Sequence, residues 1–237
     1  MKLYPHPQAF FNGIISLCIA LLVFSCNDSL FDTGTDKGVI EYTISYPSIP
    51  EDNYMLDLMP KKMITTFHEG SFRSDIVAGM GLFQTSIISE KGSDKLVHSV
   101  KMLNKKYAST LDIEDINELT PKFKNIQISP LDEKKEIAGY LCNAADVKVI
   151  EDTTWQFKIY YTNEINIKES NKHTPYKSIS GVLMQYEILS YDTHMLFKAK
   201  KVLPLEDSIE IKLEDDYEQV SPKRLKKEVE AIFAAVK

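Results

Sequence analysis

The sequence predicts an α+β fold that is mainly antiparallel β, in which a curved sheet forms either a closed barrel or an open cup. Period-two alternation of apolar and polar residues recurs along most of the chain. Short turn-forming segments separate the alternating stretches, which favours antiparallel strands on short connections. Only two stretches carry the signals of a helix, so little helical surface is available to cover the apolar face of the sheet.

The first 25 residues have the features of a removable export signal. A basic Lys2 precedes an apolar stretch at residues 14–24, and the small residue Ser25 follows it. At about 1.5 Å per helical residue this stretch is too short for the roughly 30 Å hydrocarbon core of a bilayer, so a transmembrane anchor is the weaker interpretation.

The end of this segment, residues 22–26, resembles the lipobox of bacterial lipoproteins, in which an aliphatic residue lies three positions before a cysteine and a small residue lies immediately before it. The resemblance implies that Cys26 is the lipid-bearing first residue of the mature protein and anchors it to a membrane. The alternative is ordinary cleavage after Ser25, which leaves a free cysteine. Asn27 stands where the inner-membrane retention signal has aspartate, which favours the outer membrane.

Length, charge and cysteine usage limit the possible partners. Cleavage after Ser25 leaves 212 residues, enough for one domain with a substantial core, and changes the net charge from −6 to −7 because Lys2 is the only charged side chain removed. An acidic chain without a basic stripe argues against nucleic acid as a partner. Once Cys18 and Cys26 are accounted for by the signal and the lipid, Cys142 remains, and its apolar flanks indicate a small core residue rather than a nucleophile.

A tether and one domain follow the signal. Residues 26–37 are mostly small and polar, as in a flexible linker, and residues 38–237 form the predicted domain. Its strands are predicted from alternation at residues 39–46, 72–77, 82–89, 96–103, 144–150, 155–162, 182–188 and 208–214.

Two helices are predicted between and after these strands. Asp112 can cap a short helix that Pro121 ends. The second begins at Ser221 and Pro222 and runs to Val236, with its apolar residues on a single stripe that must cover an apolar surface.

Three blocks, residues 137–142, 160–165 and 179–184, occur in an order that resembles the GLPGLI and LolA-like lipoproteins. In those families a glycine-aromatic turn enters a strand, an aromatic-Thr-x-acid-aliphatic run ends a second, and a small-Gly-aliphatic turn begins the next. The resemblance spans about residues 38–204. It implies an incomplete barrel, or cup, with a short inner helix and a hydrophobic interior able to hold acyl chains. The chain departs from the pattern at Tyr161, where tryptophan is expected, and after Gly181, where proline is common.

The sequence offers no residue set for catalysis, for a metal or for a cofactor. Residues 79–81 lack the third glycine and the following helix of a nucleotide-binding loop, so a hairpin turn explains them better. No serine lies in a nucleophile elbow, and spacing alone assembles no Ser, His and acid constellation. We therefore expect no metal, no cofactor and no enzymatic activity, with a loop-built hydrolase as a third alternative. The histidines left after cleavage lack the spacing of a metal pair: His68, His98, His173 and His194.

The main functional expectation is a membrane-anchored, non-enzymatic lipoprotein that binds a lipid or another hydrophobic ligand in its cup. The alternative is a structural or interaction module of the cell envelope, with a packed core and a protein partner. A cavity of several hundred cubic ångströms favours the first, and a filled core favours the second. The residues predicted to line the cup are Tyr42, Met59, Met63, Phe157, Ile159 and Tyr186.

Overall fold

The computed structural model describes residues 34–119, 125–150, 152, 154–205 and 211–234, with the backbone alone at residues 55, 119 and 232–234. The predicted signal and Cys26 lie outside the described residues, as do most of the tether and the end of the last predicted helix.

One twelve-stranded sheet organises the described residues. The strands are β1 Lys37–Ser45, β2 Lys62–His68, β3 Ser71–Ala78, β4 Phe83–Ser89, β5 Leu96–Met102, β6 Lys105–Leu111, β7 Ile126–Ile137, β8 Tyr140–Val149, β9 Gln156–Thr162, β10 Val182–Ser190, β11 Thr193–Leu203 and β12 Glu218–Gln219. Their spatial order is β12-β6-β5-β4-β3-β2-β1-β11-β10-β9-β8-β7. Every pairing between these strands is antiparallel except that of β12 with β6, which is parallel. The sheet is curved and open rather than closed into a barrel, which confirms the predicted β-rich α+β class.

The sheet has one apolar face, which we call the inner face. Cross-strand pairing aligns Tyr42, Met63, Ile76 and Thr85 in one row of that face. Burial alternates along β1 because successive side chains of a strand point to opposite faces of the sheet. The opposite side of the sheet is called the outer face.

Two glycines in the blocks that resemble lipoprotein families are required by the backbone. Gly139 turns the chain from β7 into β8 at φ +85°, a conformation that side-chain-bearing residues rarely adopt. At Gly181 a Cβ atom would lie 2.6 Å from the carbonyl oxygen of Thr162, so only glycine allows β10 to begin this close to β9.

Helix α1, Ile113–Leu119, packs on the inner face near its β6 edge. The Oδ1 atom of Asp112 accepts hydrogen bonds from the backbone N–H groups of Glu114, at 2.9 Å, and Asp115, at 3.0 Å. This is the predicted N-cap. Ile116 is buried against Leu96 and Leu111, so the helix covers the start of β5 and the end of β6 on the inner face.

Helix α2, Pro222–Ala234, follows β12 and returns over the inner face. Leu225 and Val229 of its apolar stripe are buried against Phe83 and Val100. Leu225 is 1% exposed, so the stripe covers the sheet as the sequence indicated.

A long connection between β9 and β10, residues 163–181, forms a third cover, which we call the strap. It is held internally by Asn171, whose Nδ2 atom donates to the carbonyl oxygens of Ile179, at 2.8 Å, and Gly181, at 2.7 Å. Lys172 Nζ lies 2.7 Å from Asp94 Oδ1, in the turn between β4 and β5. Because β4 and β10 are far apart in the sheet order, the strap crosses the inner face.

The end of the tether and the last predicted strand both differ from the prediction. Thr35, assigned to the tether, already pairs with the strap: its N–H donates to Glu164 O at 3.0 Å, and its carbonyl accepts from Asn166 N–H at 2.8 Å. The strand predicted at residues 208–214 is wrong for its described part, because residues 211–214 are in no strand. They lie against the outer face, where the Lys212 carbonyl accepts from Arg73 Nη1 at 3.2 Å.

Candidate functional site

A cavity of about 290 Å³ lies between the inner face of the sheet and its covers. The sheet supplies side chains from β1 to β5, β10 and β11, and from the end of β6 at Leu111. Ile116 of α1, Val229 of α2 and the middle of the strap complete the lining. The uncovered remainder of the inner face is therefore the wall of a cavity in a size range typical of ligand pockets.

An aromatic cluster forms one wall. The rings of Tyr186 and Phe197 stack with centroids 5.0 Å apart and planes 9° apart. Tyr42 and Tyr176 approach Tyr186 edge-on, at 6.2 Å and 6.1 Å. The hydroxyl of Tyr42 donates to the carbonyl of Leu183 at 2.9 Å, so its polar end is satisfied while its ring contributes apolar surface.

A short polar row crosses the otherwise apolar floor. Thr65 and Ser74 hydrogen-bond to each other through their hydroxyls at 2.8 Å. Thr85 Oγ1 lies 2.9 Å from His98 Nε2. Burial lowers the pKa of His98 to about 4, because desolvation disfavours the charged imidazolium, so the ring is neutral near pH 7. No Asp, Glu, Lys or Arg of the described residues lines the cavity.

The strap brings two further polar groups to the cavity. Ser170 Oγ and His173 Nε2 are buried and have no hydrogen-bond partner among the described residues. Both residues line the cavity, and His173 is 8% exposed. Buried polar atoms are nearly always paired in folded proteins, so these two stand out as groups that a bound molecule could satisfy.

Three of the six predicted cup residues line the cavity, namely Tyr42, Met63 and Tyr186. The other three lie elsewhere in the described structure. Met59 is packed in the core with residues of β1 and β2 and does not line the cavity. Phe157 and Ile159 belong to a separate packed cluster.

The strap explains why Phe157 and Ile159 are covered. Its residues Tyr176 and Ile179 fill the space above β8 and β9, and the hydroxyl of Tyr176 donates to the carbonyl of Glu187 in β10. Sequence reasoning treated residues 163–181 as a connection and missed their part in the site. The available signal was the set of isolated apolar residues in this polar stretch, which are buried in the structure: Ile165, Ile167, Tyr176 and Ile179.

A hydrogen-bonded chain of Ser48, His194 and Glu187 lies outside the cavity lining. Ser48 Oγ is 2.9 Å from His194 Nδ1, and His194 Nε2 is 2.7 Å from Glu187 Oε2. Trp155 Nε1 also donates to Glu187 Oε2, at 3.3 Å. Spacing alone could not find this set, since its members come from the β1–β2 connection and from two different strands. A serine, a base and an orienting acid in this order can support nucleophilic catalysis.

The described part of the chain holds no group of three or more His, Cys, Asp or Glu side chains arranged to bind a metal ion. None of its helices combines the length and the apolarity needed to cross a bilayer.

No protein-family model and no curated protein sequence matches the chain. The cavity and the residues around it are therefore the basis for inferring a function.

Proposed function

We propose that this protein binds a hydrophobic, acyl-chain-like ligand in the cavity beneath the strap. The observation that carries the proposal is a cavity of about 290 Å³ with aromatic and aliphatic walls and without a charged side chain among the described residues. Apolar surface left in contact with water costs about 25 cal/mol per Å², so displacement of water by an apolar ligand is favourable. A packed interaction module would have filled this space with its own side chains.

The architecture supports the finer proposal of a LolA-like cup. An open curved sheet with an apolar inner face, and α1 contacting that face through Ile116, is the arrangement that such a cup requires. We infer from residues 14–26 that the cup is tethered to the outer membrane through a lipid on Cys26. The tether would hold the cavity near a source of hydrophobic ligands.

A pair of neighbouring tryptophan substitutions tests the proposal. Ile76 lines the cavity, whereas Val77, the next residue of β3, is exposed on the outer face. We expect wild-type full-length protein to bind the uncharged dye Nile red saturably, Ile76→Trp to bind it at least tenfold more weakly, and Val77→Trp to bind it like wild type. Titration by fluorescence measures all three. Equal binding by the two variants, or no saturable binding by folded wild type, would overturn the proposal.

A second candidate function is ester hydrolysis at Ser48. The chain of hydrogen bonds from Ser48 through His194 to Glu187 favours it, and the serine is exposed to substrate. We expect purified protein to hydrolyse a p-nitrophenyl ester above the background rate and Ser48→Ala to return the rate to background. An undiminished rate in Ser48→Ala, or no hydrolysis by wild type, would remove this candidate and leave the binding proposal untouched.

A further inference from the structure

We propose that the ligand is an uncharged amphiphile that carries a hydroxyl group at its polar end, and that His98 accepts a hydrogen bond from this hydroxyl inside the cavity. Long-chain alcohols and monoacylglycerols belong to this class. The inference rests on the proposed function, because it names the class of ligand for the same cavity.

The charge of the lining excludes an ionised ligand head in the cavity. None of the described lining residues is acidic or basic apart from the two histidines. A carboxylate or an ammonium group brought inside would lose its water and meet no Asp, Glu, Lys or Arg side chain among the described lining residues, which is strongly unfavourable. His98 supplies no positive charge near pH 7, since burial lowers its pKa to about 4.

The hydrogen bonds of Thr85 indicate which ring nitrogen of His98 carries the proton. Thr85 donates its single hydroxyl proton to the carbonyl oxygen of Ser99, at 3.2 Å. With that proton donated to the carbonyl, the same hydroxyl accepts at its 2.9 Å contact with His98 Nε2, and on this network we assign the hydrogen of the neutral ring to Nε2. In a neutral imidazole Nδ1 is then an acceptor, and no group of the described residues donates to it. A ligand hydroxyl is a donor that fits this atom.

The strap adds two unpaired polar groups to the lining of the same cavity. His173 Nε2 and Ser170 Oγ line the cavity, are buried, and have no partner among the described residues. A hydroxyl is both a donor and an acceptor, so it can satisfy His98 and one of these strap groups together. An ester or an ether without a hydroxyl can only accept and leaves Nδ1 of His98 unpaired.

Three probes of one chain length separate these requirements. Full-length protein, stripped of bound lipid on a hydrophobic resin, is titrated at pH 7.5 by displacement of Nile red with dodecanol, dodecyl methyl ether and dodecanoate. We expect dodecanol to bind at least tenfold more tightly than either of the others. Dodecanoate or the ether binding as tightly as dodecanol would overturn the inference while leaving hydrophobic binding intact. If neither the three probes nor Nile red bind, the proposed function is overturned together with this inference.

Variants locate the polar end. In His98→Phe the preference for dodecanol over its methyl ether should disappear while the ether still binds. His68→Phe, the same substitution outside the cavity lining, should keep the preference. His173→Phe provides a second test, because it changes the strap and leaves the sheet floor unaltered. In this variant the preference for dodecanol over its methyl ether should be smaller than in wild type. Circular dichroism checks that each variant is folded, and a wild-type preference in His98→Phe would contradict the assignment.

Discussion

A single buried histidine of the cavity makes the stability of this protein depend on pH. His98 lies within the sheet floor at 5% exposure, and burial lowers its pKa from 6.5 to about 4. The unfolded chain therefore binds a proton at this residue between about pH 6.5 and 4 while the folded chain does not. Stability rises with pH wherever the unfolded state binds more protons, so the contribution of neutral His98 is present above pH 6.5 and is lost as the pH falls towards 4.

This direction of the change in stability with pH can be measured. Between pH 7.5 and 4.5 the free energy of unfolding of wild-type protein should fall by about 2–3 kcal/mol more than that of His98→Phe, which has no group to protonate. Urea denaturation at the two pH values measures the difference. Identical pH dependence in the two proteins would show that folding does not lower the pKa of His98.

Cys142 should behave as an inert core residue. It is fully buried, its Sγ lies 3.4 Å from the carbonyl oxygen of Tyr140, and burial raises its pKa to about 11. Thiolate is the reactive form, so a thiol reagent should label Cys142 only after unfolding. Cys142→Ala should cost about 1–2 kcal/mol, the scale of a small deletion in a core. Rapid labelling of native protein would contradict this role.

Among the elements, the strap depends on one side chain. The two hydrogen bonds from Asn171 to the carbonyls of Ile179 and Gly181 are buried and close the strap on itself. Asn171→Ala leaves both carbonyls unpaired, which should cost about 2 kcal/mol and accelerate amide exchange of residues 163–181 more than that of β3. Lys172→Ala, which removes an exposed ion pair with Asp94, is the matched control and should have the smaller effect. Uniform acceleration across the sheet would mean that the strap has no separate stability.

Helix α2 begins with basic residues, which its dipole disfavours, and its neighbours compensate. Arg224 Nη1 lies 2.9 Å from Glu218 Oε1, and its guanidinium lies 5.0 Å from the ring centre of Tyr107. Lys226 Nζ donates to the carbonyl of Glu118 near the end of α1, where a cation is favourable. These contacts attach the helix to the β6 edge.

The sequence predicted those elements whose signal is local. Alternation places one side of β1 and β9 in the core, and the cap at Asp112 locates α1, because both depend on residues near each other in the chain. β7 escaped prediction because charged residues and Pro130 interrupt its alternation at the edge of the sheet, where they are tolerated.

The cavity could be predicted only in part for the same reason. Tyr42, Met63 and Tyr186 were found because their strands face the core. Which apolar residues are covered and which remain open depends on the path of the strap, and that path depends on contacts between residues distant in the chain, such as Thr35 and Glu164. No local pattern carries that information.

At the scale of the whole molecule, the proposed anchoring and the proposed ligand binding can be tested separately. Cys26→Ser should release the protein from the membrane fraction and abolish acyl labelling, because a lipid on this cysteine is the proposed anchor. Nile red binding should be unchanged, since the cavity is built from residues after 34. Fractionation and mass spectrometry of the N-terminal peptide measure the first effect. An unmodified Cys26 in wild-type protein would contradict the anchoring proposal.

The most direct test of the central claim is to identify what the cavity holds. Full-length wild type and Ile76→Trp are purified in parallel, denatured and extracted with organic solvent, and the extracts are compared by mass spectrometry. The proposed function predicts a hydrophobic molecule at close to one per chain from wild type and a large reduction in the cavity-filling variant. No ligand in either extract, or equal amounts from both proteins, would contradict binding in the cavity.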